Sequence, residues 1–243
     1  MKSISLEPFQ WIKEERESYT EDPSLWKGNF VSHCIPDRFE AYCKILHPFR
    51  RDLSITDESL TYEQSPEIEE YLLGEALTSR ELAKKYHLDY TKEISTDTFI
   101  RACGGSLPRY LVGCDHGSMD METMIQIVKT LTSFKKENQL CYFHYYFAKT
   151  KDITLGRDQL FLGKLEDVIL LFDKDGLWGS PTYWWPEDKS WCLCTSYHLD
   201  FTLFGGNREM AEGLLSNQEL ECIEVSAETR IDYLADENNL PKP

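Results

Sequence analysis

Residues 180–206 constrain the fold more than any other stretch of the chain. Three of the six tryptophans lie here, Trp184, Trp185 and Trp191. A polar run that begins at Pro186 and ends at Lys189 is typical of a type I turn, because the proline ring presets a backbone angle. After this turn bulky residues alternate with small or polar ones, namely Trp191, Leu193, Thr195 and Tyr197 with Cys192, Cys194, Ser196 and His198. Neighbours on a strand point to opposite faces, so the stretch predicts a β-hairpin whose bulky face packs in the core.

Strand-like runs cluster in the second half of the chain. Aromatic and β-branched residues, which favour strands, are concentrated there. The predicted strands are 140–147, 167–173, the hairpin, 200–206 and 220–225. The predicted helices are 36–46, 65–77, 79–86, 118–134 and 207–215, with a capping box at Thr78 and Glu81 and N-caps at Ser118 or Asp120 and at Asn207.

This pattern predicts an α+β fold in which helices from the first half cover a mostly antiparallel sheet supplied mainly by the second half. We expect a single domain over residues 1–243, since 243 residues with 41% hydrophobic composition can bury a substantial core. Residues 1–27 are expected to dock on that core as an N-terminal segment. Residues 226–243 form an acidic tail that is expected to be flexible.

The charge of the chain limits its partners. Forty-two acidic residues against 26 Lys and Arg give a net charge of −16. Such a charge opposes binding to nucleic acids and to anionic membranes. It either only keeps the protein soluble, which is the preferred interpretation of the charge by itself, or favours a basic protein partner. The chain has no apolar run of signal-peptide or membrane-helix length, so we expect a cytoplasmic protein whose eight cysteines are reduced thiols.

No motif selects a reaction, and several partial sets of chemical groups stay open. Cys192, Cys194, His198 and Asp200 would share one strand face and resemble a weak zinc set. A Cys–His nucleophile pair could form between Cys34, Cys103, Cys114 or Cys194 and His33, His116, His144 or His198. For His144 a hydrogen-bonded position in the sheet is the preferred interpretation. We predict no cofactor and no metal.

The sequence resembles a family of uncharacterised bacterial proteins of actinomycetes and bacilli. The resemblance depends on Phe39-Glu-Ala-Tyr42, His47-Pro48, Trp184-Trp-Pro-Glu-Asp-Lys-Ser-Trp191 and Gly205-Gly206, and it extends from about residue 29 to 225. It implies one domain that spans both halves, with a Phe-Glu-Ala-Tyr helix that ends at His-Pro. It implies no activity and no catalytic residue.

Two functions remain open. The first is a non-catalytic interaction protein, similar to an immunity protein or an antitoxin, that binds a basic protein through the acidic residues of 57–81 and of the tail. The alternative is a small-molecule binder or hydrolytic enzyme with a site near the Trp184–Asp200 hairpin, where aromatic walls and titratable groups converge. The candidate binding residues are Trp178, Trp184, Trp185, Asp188, His198 and Asp200.

Overall fold

The computed structural model describes residues 1–19, 23–64, 70–147 and 157–239, which fold into eleven strands and six α-helices. Both sheets are antiparallel, so the protein has the predicted α+β fold. Within this part of the chain no helix is long and apolar enough to cross a bilayer.

The main sheet has eight strands, and most of them come from the second half of the chain. Their order is β1-β7-β6-β8-β9-β10-β2-β11. The strands are β1 (Lys2–Ile4), β2 (Ala41–Leu46), β6 (Cys141–Tyr145), β7 (Gln159–Gly163), β8 (Tyr183–Pro186), β9 (Cys192–Cys194), β10 (Phe201–Gly206) and β11 (Glu221–Val225). The predicted hairpin is confirmed as β8 and β9, and the amide of Lys189 donates to the carbonyl of Pro186 across the turn.

A smaller sheet of three strands lies beside the first. It consists of β3 (Phe49–Asp52), β4 (Leu73–Leu77) and β5 (Leu111–Val112), with β3 in the centre. The six helices are α1 (Gln10–Glu15), α2 (Ser79–Lys85), α3 (Thr96–Ala102), α4 (Met121–Thr132), α5 (Ile169–Phe172) and α6 (Arg208–Ser216). The predicted caps are confirmed at Thr78 and Glu81, at Asp120 and at Asn207, where a side chain accepts an amide of the first turn.

Both faces of the main sheet are buried. Trp184, Trp191 and Leu193 pack on the face that α4, α5 and α6 cover. Trp185 and Cys192 point to the other face, where α1, α2, α3 and the smaller sheet cover them. Helices from the first half therefore cover one face, as predicted, and a second helical layer covers the opposite face. Each core draws residues from both halves of the chain; the single domain stays a prediction that limited proteolysis tests.

The predicted helix at 36–46 is wrong, because the segment from Ala41 to Leu46 is strand β2. The Phe-Glu-Ala-Tyr helix implied by the family resemblance is therefore absent at this position. β2 pairs with β10 on one side and β11 on the other, and all six of its residues are buried. Because both faces of β2 are covered, apolar residues occur at successive positions instead of alternating with polar ones. Their spacing then also matches that of a helix by chance.

Two further segments also differ from prediction. The helix predicted at 65–77 is wrong over Leu73–Leu77, which pairs with β3 as strand β4, and residues 65–69 lie outside the described residues. The strand predicted at 167–173 is instead a 3-10 turn followed by α5. A short apolar run has the length of either a strand or a buried helical turn, so contacts distant in sequence decide between them.

The flexibility predicted for the acidic tail stays a prediction. Residues 226–239 contact the rest of the fold, and residues 240–243 lie outside the described residues. Ala227 and Ile231 join the core, and the carboxylate of Asp232 accepts the amide of Asn29 at 2.9 Å. Asp236 is 2% exposed and accepts hydrogen bonds from Thr91 and Thr98. The acidic residues of the tail therefore bond to the fold, which the composition of the tail alone does not reveal.

We expect Trp191→Ala to cost about 3–5 kcal/mol of the free energy of unfolding, because truncating a large core side chain removes buried area and leaves a cavity. Trp191 is 2% exposed, whereas Trp178 is 40% exposed and supplies the matched control. Urea denaturation of the two variants provides the comparison. If Trp178→Ala destabilised the protein as strongly as Trp191→Ala, the assignment of these two rings would be incorrect.

Lys44 makes the stability of the fold depend on pH in alkaline solution. Its side chain is fully buried, its ammonium group donates to the carbonyl of Ile94 at 2.7 Å, and burial lowers its pKa from 10.5 to about 8. Below pH 8 the Lys44 amine is protonated in both the folded and the unfolded chain, and only the folded chain bears the cost of desolvating that charge. Between about pH 8 and 10.5 the unfolded chain binds more protons than the folded chain, so stability rises with pH.

We therefore expect the free energy of unfolding of the wild type, relative to that of Lys44→Met, to rise by up to about 3 kcal/mol over this pH range. Urea denaturation at a series of pH values measures it. Lys129→Met, at an exposed position of α4, is the control and should follow the wild type. Parallel pH curves for the wild type and Lys44→Met would contradict the buried charge.

Candidate functional site

A pocket of about 480 Å³ opens at one end of the central strands. β6 ends at this pocket, β8 begins there, and the loop that follows β9 forms part of the wall. The N-terminal segment closes the pocket through Phe9 and α1. Several aromatic rings and two cationic side chains line it, namely Phe9, Tyr19, Tyr146, Tyr183, Tyr197, Lys13 and Arg16. The volume and the aromatic walls are typical of a site for a small molecule.

A histidine and an aspartate form a bonded pair in the wall. Nε2 of His144 lies 2.8 Å from Oδ2 of Asp158, and the other carboxylate oxygen accepts the amide of Phe147. The ring of Phe9 stacks on the imidazole with a centroid separation of 3.9 Å. Burial acts to raise the pKa of Asp158, but the contact with His144 and the amide bond hold it below its usual value. The carboxylate therefore stays charged and fixes the orientation of the imidazole.

A second group of polar residues lies around Cys34. The hydroxyl of Tyr183 donates to the carbonyl of Cys34 at 3.1 Å, and the hydroxyl of Tyr19 lies 3.7 Å from its sulfur. Bonding to the Cys194 thiol lowers the pKa of Cys34, and the Tyr19 hydroxyl and the charge of Arg16 act in the same direction against burial. The thiol itself is 2% exposed, so the protein shields it from reagents in solvent.

The loop after β9 owes its position to a close backbone approach. Gly117 has a φ of +73°, and a Cβ atom there would lie 2.7 Å from the Cα of Tyr197. The amide of Gly117 donates to the carbonyl of Leu199 at 2.7 Å. Because only glycine permits both this backbone conformation and this contact, it holds Tyr197 and His198 at the pocket.

The predicted site residues do not converge on one place. Of the six predicted binding residues, His198 is the one that lines the pocket. Trp184 and Trp185 are 0% and 1% exposed and belong to the two cores, so their rings do not form the walls of this pocket. Trp185 contributes to a separate shallow depression beside Trp11.

The remaining predicted residues lie outside the pocket. Asp188 occupies the turn between β8 and β9, where its carboxylate pairs with Lys136. Asp200 accepts the amide of Thr96 at 2.6 Å at the start of α3, which is a structural role. Trp178 is exposed and is not part of the pocket wall.

The structure separates the open set of metal ligands but brings three of the nucleophile candidates to one pocket. In the described part of the chain no group of three or more His, Cys, Asp or Glu side chains is arranged to hold a metal ion. Cys192 and Cys194 are buried in the core, while Asp200 bonds to α3. Of the proposed Cys–His partners, Cys34, His144 and His198 line the pocket, whereas burial raises the pKa of Cys103 and of Cys114.

The sequence interpretation missed most of the pocket. Lys13, Arg16 and Tyr19 belong to the segment that was expected only to dock, and Tyr146 and Asp158 flank β6 and β7. One feature of the sequence does indicate this site. His144 lies in an apolar strand, and a buried histidine needs a hydrogen-bond partner. That partner, Asp158, is 14 residues away and is not marked by any local motif.

Comparisons of the chain with protein-family models, curated protein sequences and solved structures gave no match.

We expect Asp158→Ala to destabilise the protein by about 1–3 kcal/mol, because Nε2 of the buried His144 loses the carboxylate that it contacts. The carboxylate of Asp158 also holds the amide of Phe147, so the variant loses two bonds. Asp175→Ala, at an exposed position, is the matched control and should change stability by less than about 0.5 kcal/mol. Thermal and urea unfolding measure both. Equal stability of the two variants would contradict the role of the pair.

Proposed function

We propose that the protein binds a small molecule in the pocket beside His198. The observation that supports this most is a cavity of about 480 Å³ whose wall combines aromatic rings with Lys13, Arg16 and the bonded His144–Asp158 pair. Aromatic rings supply contact area at little cost in conformational entropy, and a few fixed polar groups orient the ligand. The hydrolytic alternative has weaker support, since the one pocket thiol with a lowered pKa, Cys34, is itself buried.

A thermal-shift screen against metabolites tests this function, because a ligand of the native state raises its apparent stability. Ser196→Trp places a large ring in the pocket wall and should abolish the shifts produced by the hits. Ser216→Trp, at an exposed position of α6, is the control and should retain them. Hits that stabilise both variants equally would locate the ligand elsewhere, and a screen without hits would count against the function.

We also propose protein binding as a second candidate function, on the basis of a surface that we call the leucine patch. It consists of large exposed side chains at and beside β4, namely Leu53, Tyr62, Tyr71, Leu72 and Leu73. Leu72 is 59% exposed, and all members of the patch except Leu53 belong to the acidic stretch 57–81. Exposed apolar clusters rimmed by charge are typical of protein interfaces, and the acidic rim favours a basic partner such as the target of an immunity protein or antitoxin.

Several of the acidic side chains near the leucine patch already have partners within the protein. Glu58 pairs with Arg51 and Lys85, and Glu81 belongs to the helix cap. The guanidinium carbon of Arg109 lies 5.0 Å from the ring centre of Tyr62 and 5.1 Å from that of Tyr71. Arg109 also pairs with the buried Asp52. A partner would therefore contact a rigid apolar centre, with charge mainly at the rim.

Co-purification from the source cells tests the second function. We expect a stoichiometric basic partner that Leu72→Arg loses and that Leu170→Arg, at a more exposed position on α5, retains. The association rate should fall as salt rises, because ions screen exposed charges over about 8–10 Å. Retention of the partner by Leu72→Arg would exclude the leucine patch as its binding surface.

A cytoplasmic location is a further part of the proposal. All eight cysteines are free thiols, and five of them are buried in the cores. A reducing compartment keeps such thiols unpaired.

A further inference from the structure

The side chain of Arg16 is the clearest indication of what the pocket binds. Arg16 follows α1 and is partly buried. One terminal nitrogen, Nη1, donates to the carbonyl of His33 and to the hydroxyl of Tyr183, both at 3.4 Å. These contacts are long, since such bonds are usually near 2.9 Å. A guanidinium group has five donor hydrogens, so most of the binding capacity of Arg16 stays available to a ligand.

Other arginines of the protein show what Arg16 lacks. Arg109 bonds to Asp52 at 2.9 Å, Arg230 to Asp232 at 2.6 Å and Arg38 to Glu15 at 3.0 Å. Within residues 1–19, 23–64, 70–147 and 157–239, no carboxylate lies within 4.0 Å of the Arg16 guanidinium. Among the described residues, Arg16 is therefore a partly buried cation without a carboxylate partner. Burial acts to lower the pKa of Arg16, but the neighbouring groups of Tyr183, Tyr19 and Cys34 keep it raised, and a bound anion would add to this stabilisation of the charge.

The charge of the pocket wall is opposite in sign to that of the molecule. Among the described lining residues Lys13 and Arg16 are cations and Asp158 is the acid. Asp158 bonds to His144 and to the amide of Phe147, and the charge of Lys13 also helps to lower its pKa, so Lys13 is partly balanced while Arg16 is not. The ammonium group of Lys13 lies 5.2 Å from the centre of the Phe9 ring at the same wall. A net charge of −16 over the chain repels anions, whereas the two cations among the described lining residues attract an anion to the pocket.

From these observations, and resting on the proposed small-molecule function, we propose that the ligand is an anion with an apolar, aromatic body. Its carboxylate or phosphate group binds the unpaired edge of the Arg16 guanidinium, with Lys13 as a second cation. Its body contacts the rings of Tyr146, Tyr183 and Tyr197. Arginine suits this role because its planar fork matches the two oxygens of a carboxylate or phosphate.

Calorimetric titration with three probes of similar aromatic character tests the proposal. Indole-3-acetate carries a carboxylate, indole-3-acetamide is its neutral counterpart, and phenyl phosphate carries a phosphate. We expect at least one anion to bind about 10- to 100-fold more tightly than the amide, since bonds to a charged group contribute this much. The stronger of the two anions identifies whether the site prefers carboxylate or phosphate. Anion affinity should fall as salt rises.

Variants assign the effect to Arg16. Arg16→Met retains most of the apolar stem and should weaken anion binding about 10-fold or more, while the affinity for the amide stays unchanged. Arg16→Lys should restore part of the loss. Lys13→Gln provides an independent variant at an exposed position and should weaken the anion to a smaller extent. Arg38→Gln is the control, since Arg38 pairs with Glu15 outside the pocket, and it should bind like the wild type.

The outcomes separate this proposal from the pocket function. Equal binding of the acetate and the amide, both lost in Ser196→Trp, would leave the pocket function standing and overturn the preference for anions. Anion binding that survives in Arg16→Met and Lys13→Gln would also overturn it. If none of the three probes binds, and the metabolite screen produces no shift that Ser196→Trp abolishes, both proposals fail together.

Discussion

The structure depends on one constraint, which is that the central strands must bury both of their faces. Trp184 and Trp185 are neighbours in β8 and therefore point to opposite sides, and neither ring is more than 1% exposed. A sheet with such rings on both faces needs two covering layers. Helices α4–α6 supply one layer, and α1–α3 with the smaller sheet supply the other. The early and late parts of the chain are therefore brought together around the same strands.

This two-sided packing also explains where the pocket lies. Both faces of the sheet are occupied, so an open space can form only at the ends of the strands or at the surface of a covering layer. The pocket lies at an end, where β6 finishes and β8 starts, and the N-terminal segment and Ile231 of the tail complete its wall. Residues that are distant in sequence thus meet at one site. Strand ends suit binding because they are held rigidly while their side chains still reach solvent.

The described charged side chains that are removed from solvent differ in whether they are enclosed in the core or face an opening. Arg109 and Asp52 satisfy each other, and their pair fixes the smaller sheet to the tyrosines beside it. Lys44 has a backbone carbonyl as its bonded partner, and burial moves its pKa to about 8. Arg16 differs from both because it is only partly buried and faces a pocket. Enclosed charges affect stability, whereas a cation at an opening is available to a ligand.

The sequence alone determined the features that local physical chemistry specifies. These are the hairpin with its turn, the capping box at Thr78 and Glu81, the amphipathic α4, and the α+β class. Each depends on residues within a few positions of one another. Tertiary structure decided the rest. β2 is a strand because β10 and β11 pair with it, and the acidic tail lies against the fold where Asp232 and Asp236 bond to distant segments. The pocket is a product of the same long-range contacts: His198 was predictable near the hairpin, but no local pattern brings Arg16, His144 and Asp158 to its side.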